Sequence, residues 1–422
     1  MTRTPHNARS VVVSVNTPVL LRRSDDEIWP LNPRRRYVLN ADILQDVMQF
    51  VETMSDLEGA AHYNPLRTAP KVRLAKSHIL VERYRDRGMG DLLFTTGPLQ
   101  YLHHLAGAEL NVHYYAYADR GQVLSHCPWI SHGAPLVGPV LYDELPNYDY
   151  HWVIDGVTEH DEEPDQGNVY DTLFKSIGID PATVPAKYKR PTALITPAEA
   201  KQLDDFFHWT FLTTKSHLDL RKTGYYVVAP FANSALRCAP YSMMLQLICE
   251  LAKPSGRPVL VVGNMWDRIP GTDMSAGDFN GALDEQSNLT SGRILNLIGK
   301  TKVRNLVEVI SGANCVVSLD SAPLYISQGL RVPCVSIWGS HDPAARIGYD
   351  PDYMKLAVWQ RQACRFSPCY AWSGFPESKC PQGSAQRICN CYLALSPDDV
   401  LQRVEEVERS APKLIVPSSS PQ

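Results

Sequence analysis

Short apolar runs recur along this chain, and most lead into segments whose apolar positions repeat at helical spacing. His78-Ile79-Leu80-Val81 runs into Gly88-Met89-Gly90-Asp91, after which Leu92, Leu93, Leu99 and Leu102 mark a helix. Leu110 to Tyr114 and Trp152-Val153-Ile154 read as further strands. A second series opens at Tyr225 to Pro230 and is followed by a helix with Met244, Leu247, Ile248 and Leu251 on one face. Val259 to Val262, ending at Gly263, is continuously apolar, which is the pattern of a strand covered on both sides. Leu306 to Ile310 reads as helix, and Cys315 to Leu319 and Pro333 to Trp338 read as strands. Such alternation predicts an α/β protein with parallel sheets faced by helices.

Before these series, Val11 to Val13, Val19 to Leu21 and Tyr37 to Leu39 are strand-like. Pro18 stands at the first position of the second run, where a missing N–H is tolerated. Ile43, Leu44, Val47, Met48 and Val51 then predict a helix over 41–54, and 55–76 reads as a linker. At the other end Ser396 is placed as an N-cap, with Pro397 first in the helix and Asp399 three residues on. The predicted organisation is an accessory module with linker over 1–76 and a first Rossmann-like domain over 77–220. A second Rossmann-like domain over 221–355 and a Cys-rich segment with a terminal helix over 356–422 complete it.

A length of 422 residues exceeds what one core usually serves, in keeping with two main domains. Apolar residues at 44% and charged residues at 20% describe an ordinary globular composition. A net charge of -4 gives no bulk attraction to nucleic acid, although Arg22-Arg23 and Arg34-Arg35-Arg36 are local basic clusters. No apolar stretch approaches the roughly 18 residues of a membrane span, and the first residues lack the apolar core of a secretory signal. A cytoplasmic protein is expected.

Two loop-and-helix motifs carry the candidate chemistry. Gly88-Met89-Gly90-Asp91 lacks the third glycine of a dinucleotide fingerprint, because Leu93 stands there. Its glycines allow close backbone approach, and Asp91 is either an N-cap carboxylate or a general base. Thr95 and Thr96, one turn on, either touch an acceptor beside Gly90 or pack. The second motif, Asp320-Ser321-Ala322-Pro323-Leu324, follows a buried strand and opens a helix whose free N–H groups suit phosphate. Arg237, Lys300 and Arg346 lie in loops of the same half and together suit a diphosphate leaving group. Gly299-Lys300-Thr301 is not a P-loop, since Ile294 replaces the required glycine. Cys364, Cys369, Cys380, Cys389 and Cys391 crowd one segment, where four thiolates would close a structural zinc or iron site; free cysteines are the alternative.

Taken in order, these motifs resemble the heptosyltransferase-like glycosyltransferases of family 9. The resemblance runs from about His78 to the last helix and includes Thr95-Thr96-Gly97-Pro98, Ile298-Gly299-Lys300-Thr301, Val317 to Pro323 and Pro333 to Gly339. It implies a GT-B fold, two Rossmann-like domains facing a cleft, here with an extra N-terminal module and a Cys-rich C-terminal segment. It further implies inverting transfer of a sugar from a nucleotide-diphosphate donor, ADP-heptose or another, with no catalytic cofactor. Asp91 takes the place of the family's base, Arg237 that of a lysine facing the donor phosphates, and 320–324 that of the donor loop. Autotransporter heptosyltransferases of this family hold a cysteine-bound iron. The family has glycine where Ala322 stands and histidine where Tyr325 stands. Acceptors consistent with this reading are a glycan, a protein side chain or a modified DNA base, and a homo-oligomer is open. The rival expectation is a GT-B shell that binds nucleotide sugars or assembles without catalysis.

Overall fold

The computed structural model describes residues 10–24, 27–39, 41–57, 60, 64–66, 74–83, 88–107, 109–116, 118–133, 135–154, 157, 167–203, 218–232, 235–264, 273–369 and 389–410. The N-terminal region forms β1 (Val11–Val15), a hairpin of β2 (Val19–Ser24) and β3 (Glu27–Leu31), β4 (Arg36–Leu39) and β5 (Val51–Asp56). In the hairpin Leu21, Trp29 and Leu31 turn inward while Leu20 and Ile28 face solvent, the period-two pattern of a half-buried ribbon. The helix predicted over 41–54 stops early: Ala41–Val47 is helical, Met48–Phe50 is a tight 3₁₀ turn, and Val51–Asp56 is a strand. Pairing with β5 satisfies one open edge of β1, so a non-local ladder overrides the helical spacing of Val51.

β6 (His78–Arg83), β7 (Asn111–Ala116), β8 (Val140–Leu141) and β9 (Tyr150–Val153) follow. β7, β6 and β9 make a parallel sheet with β6 in the middle. β8 instead pairs with β4, so the N-terminal antiparallel sheet, order β5-β1-β4-β8, takes one strand from beyond residue 76. Alternation along β6 explains the docking. Ile79 and Val81 join the helix-covered core, while Leu80 joins the core of the N-terminal sheet with Val13, Tyr37 and Val140.

The second half is a six-stranded, all-parallel sheet of β10 (Tyr226–Ala229), β11 (Val259–Val261), β12 (Ile294–Asn296), β13 (Cys315–Leu319), β14 (Cys334–Trp338) and β15 (Ala357–Trp359). Its order is β12-β11-β10-β13-β14-β15, the doubly wound arrangement of a Rossmann domain. Every residue of β10, β11, β13 and β14 is buried, as their unbroken apolar runs require. On the predicted helix Tyr241–Leu251, Met244, Leu247, Ile248 and Leu251 are all buried. The last helix, Pro397–Ser410, packs on it through Val400, Val404 and Val407. Its start is a reciprocal cap: Asp399 Oδ2 accepts from the Ser396 N–H at 2.8 Å, and Ser396 Oγ accepts from the Asp399 N–H at 3.4 Å.

The two halves share one apolar core. Helix Met89–Phe94 of the first lies against helix Ala322–Leu330 of the second, with Phe94 edge-on to Tyr325 at 4.5 Å between ring centres. Polar clamps close the sides. Arg304 binds both Glu199 oxygens at 2.9 Å, and Asp171 joins Lys189 to Tyr349. Asn168 Nδ2 donates to the Ala344 carbonyl at 2.8 Å.

Candidate active site

In an open parallel sheet, ligands sit beyond the carboxyl ends of the strands, at the point where strand order reverses. In the second half that point lies between β10 and β13, and in the first it lies beside β6. Arg237 is in the loop after β10, Asp320 directly follows β13, and Asp91 lies in the turn after β6. The two reversal points meet where the helices touch.

On the first side, Asp91 occupies the first turn of Met89–Phe94, and its side chain is about 30% exposed. Its carboxylate folds back over Gly88 so closely that a Cβ there would lie 2.4 Å from Oδ2. Arg83, the last residue of β6 and fully buried, approaches Asp91 Oδ2 at 3.5 Å and donates to the Ile154 carbonyl at 3.2 Å. The carboxylate is thus held at the rim beside a fixed cation. Gly90 is required for contact, since a Cβ there would meet the Tyr325 ring at 2.7 Å. Thr95 and Thr96 are wholly buried, and their hydroxyls donate to the carbonyls of Leu92 and Leu93 at 2.7 and 2.6 Å. Thr96 Oγ1 also accepts from the Thr192 N–H at 2.8 Å. Both hydroxyls turn back to the backbone of helix Met89–Phe94.

On the second side, Asp320 is buried and is engaged from three directions. Tyr325 donates its hydroxyl to Oδ1, Arg237 Nη1 reaches Oδ2 at 3.3 Å, and His341 Nδ1 lies 3.9 Å from Oδ2. Burial works to raise Asp320, but Arg237, His341, Arg346 and the Tyr325 hydrogen bond outweigh it and hold the carboxyl below its usual range. Burial similarly opposes the charge on Arg237, yet Asp320, Tyr325 and Asp91 stabilise that charge. Asp91 of the first half therefore interacts with the Arg237 charge of the second. His341 is pushed down to about 3 by burial, with Arg237 and Arg346 adding to the effect against Asp320. It is neutral at pH 7, so its approach to Asp320 is no ion pair. Burial and Asp320 together push Tyr325 far above its ordinary value, which keeps it a donor.

Ser321 stands at the N-cap position of the Ala322–Leu330 helix with its Oγ turned to Ser318 Oγ at 3.3 Å, and Pro323 lies in the first turn. Ala322 is half-buried, whereas Pro323 and Leu324 are buried and Leu324 belongs to the shared core. Lys300 stands apart at the end of β12, exposed, with Nζ on the Asn296 carbonyl at 2.8 Å. The arrangement therefore brings together Asp91, Gly90, Arg237, Asp320 and the 321–323 helix start, with Arg346 nearby, and leaves Lys300 two strands away.

Cys364, Cys389 and Cys391 are buried in one apolar cluster, Cys369 is half-buried, and Cys380 lies outside the described residues. The Cys389 and Cys391 thiols share a hydrogen bond that pushes Cys389 up and Cys391 down to about 6. Among the described residues no group of three or more His, Cys, Asp or Glu side chains is placed to hold a metal ion. The segment does brace the loops that carry Arg237 and His341. Tyr392 donates to the Arg237 carbonyl at 2.8 Å, and the Cys369 N–H donates to the Ser340 carbonyl at 3.0 Å.

Sequence reasoning missed Arg83, His341 and Tyr392. Arg83 had a signal, a basic residue closing an apolar strand; His341 and Tyr392 become relevant only through long-range packing.

Residues 279–370, which include the whole 320–324 loop and Arg346, match the family model described as glycosyltransferase family 9 (heptosyltransferase). The likeness is to family 9. Comparison with curated proteins gives no match. Among solved structures, the E. coli ADP-heptose LPS heptosyltransferase II is 13% identical, covering 79% of this chain and 100% of that one with a TM-score of 0.50. TibC, the iron-containing dodecameric glycosyltransferase of enterotoxigenic E. coli H10407, is 14% identical, covering 96% of this chain and 92% of its own with a TM-score of 0.50. TibC in complex with ADP-D-beta-D-heptose, at 12% identity and the same coverage, gives 0.52. At such identities the structures establish the GT-B fold, and the family 9 match supports glycosyl transfer as the class of activity. No helix among the described residues is long and apolar enough to cross a membrane.

Proposed function

We propose that this protein transfers a sugar from a nucleotide-diphosphate donor to an acceptor hydroxyl with inversion, and that Asp91 is the general base. The observation that carries this is the convergence of Asp91 with Arg237 and the Asp320–Pro323 helix start at two opposed reversal points. In the proposed step Asp91 accepts the acceptor's proton as the acceptor oxygen bonds to the anomeric carbon. The bond from that carbon to the diphosphate oxygen breaks on the opposite face, and the electron pair leaves with the diphosphate. Arg237, Arg346 and the N–H groups opening Ala322–Leu330 stabilise that charge, and fixed donors of this kind are typically worth roughly 3–4 kcal/mol each. Arg83, 3.5 Å from Oδ2, orients the Asp91 carboxylate.

ADP-heptose is the donor to try first, because the E. coli heptosyltransferase II is named for it and TibC is solved in complex with ADP-D-beta-D-heptose. Glycan, protein and modified-base acceptors are then screened against it. Asp91→Asn should abolish transfer and leave nucleotide binding intact; undiminished turnover would remove Asp91 from the chemistry. Donor binding without turnover on any acceptor class would favour the non-catalytic reading.

TibC contains iron, and Cys364, Cys369, Cys389 and Cys391 offer thiols in one segment, though as arranged they do not make a metal site. A structural iron or zinc is proposed here only for the segment as a whole, with no step of transfer routed through it. Elemental analysis of the purified protein, with Cys364→Ser and Cys391→Ser, decides. Light scattering tests self-assembly of the kind described for TibC.

A further inference from the structure

The Tyr325 side chain belongs to both halves of the cleft. Its hydroxyl is spent on Asp320 Oδ1, the carboxylate whose other oxygen takes Arg237 at 3.3 Å. The Cδ2–Cε2 edge of its ring lies on Gly90, the residue before Asp91, so tightly that no Cβ fits there. Phe94, one turn beyond Asp91, closes edge-on at 4.5 Å. The residue is 4% exposed and has no room to swing away.

We infer that Tyr325 is a positioning residue that ties the base to the donor cradle. Its hydroxyl aims Arg237 through Asp320, and its ring sets the height of the Gly90–Asp91 backbone over the cleft. With Tyr325 on one oxygen and Arg237 on the other, Asp320 serves the cradle as a brace. The inference rests on the transfer reading above and adds a division of labour within one side chain. The hydroxyl governs donor affinity, and the ring governs the alignment of the attack.

Two substitutions separate these roles. Tyr325→Phe keeps the ring and removes the hydroxyl, releasing one partner of a charged hydrogen bond. Gly90→Ala keeps the hydroxyl and forces ring and backbone apart. ADP, GDP, UDP and CDP are titrated calorimetrically into the full-length wild type, and the one that binds is carried to the variants. Tyr325→Phe should weaken that nucleotide about tenfold and raise the donor KM in step, with kcat within about threefold. Gly90→Ala should lower kcat at least about tenfold, since small misplacements of a base are costly, with nucleotide affinity within about threefold. Thermal melting confirms that each variant is folded.

Wild-type nucleotide affinity in folded Tyr325→Phe, or both variants moving the same parameter, overturns the inference. A wild type that binds none of the four nucleotides removes the cradle and the inference together. Full turnover by Asp91→Asn overturns the choice of base alone, and the nucleotide titration of Tyr325→Phe then still judges the hydroxyl's role.

Discussion

Removing the Glu199 carboxylate should loosen the two halves in a way that depends on acid. Arg304 Nε and Nη2 bind the two Glu199 oxygens at 2.9 Å each, the Thr196 N–H donates to Oε2 at 2.8 Å, and His126 lies 3.2 Å from Oε1. Arg304 also donates to the carbonyls of Leu194 and Gln122, so it joins helix Val303–Ser311 to three points of the chain before it. Burial alone would raise Glu199, but Arg304, Thr196 and His126 outweigh it and hold the carboxyl at about 2 against an ordinary 4.5. Because the folded value is depressed, the stabilisation is present above about pH 4.5 and is lost as pH falls toward 2. The displacement corresponds to a ceiling of about 3 kcal/mol, and solvent screening of a partly accessible pair reduces this to roughly 1–2 kcal/mol. Glu199→Gln should therefore lower stability by that amount at pH 7 in urea unfolding, with the gap to wild type shrinking steadily between pH 4.5 and 2. A gap that is constant across that range, or absent at pH 7, would refute the reasoning.

Other substitutions probe the remaining contacts. Arg83→Met should lower kcat by about 10- to 100-fold with nucleotide affinity retained, because it removes the cation 3.5 Å from Asp91 Oδ2; steady-state kinetics with calorimetry reads both. Gly97→Ala should cost roughly 1–3 kcal/mol in unfolding experiments, because its Cβ would lie 2.3 Å from the Tyr188 carbonyl oxygen, which is backbone. His341→Gln should leave the pH dependence of turnover between 5 and 8 unaltered, since the imidazole is already neutral there; a displaced limb in that range would contradict its position near 3. A double-mutant cycle on Arg257 and Glu408, bonded through both oxygens at 2.8 and 2.9 Å, should give a coupling of about 0.5–1 kcal/mol for the docking of the last helix.

The second half was the more legible in sequence, for a physical reason. Strands buried on both faces leave unbroken apolar runs, so Cys315–Leu319 was readable to the residue, and the Ser396–Asp399 cap marked the last helix. The β5 strand was not readable, because its exposed residues owe their form to β1 and not to their own pattern. Thr95 and Thr96 looked like candidates for substrate contact, yet both fall on the packed side of a helix, where their hydroxyls turn back to the backbone. Arg83 shows the limit most clearly. Its charge was visible, but its meaning came from strand register, which sets Ile79, Val81 and Arg83 on one face and aims the last of them at Asp91.

Register and strand order also explain why the three cations singled out in sequence are unequal. A parallel sheet opens a crevice only where neighbouring strands send their connections to opposite faces. In this sheet that place is between β10 and β13; Asp320 directly follows β13, and Arg237 lies in the connection that leaves β10. Arg346 follows β14, the next strand outward, and still acts on Asp320, Tyr325 and His341. Lys300 follows β12, two strands to the other side of β10, which at roughly 4.8 Å per strand is about 10 Å from the crevice. Its ammonium is spent on a carbonyl of its own loop. The geometry thus favours Arg237 and Arg346 over Lys300 as counterions of a departing diphosphate. If Lys300→Ala weakened nucleoside diphosphate binding more than Arg346→Ala, strand order would not be what selects the cations of this site.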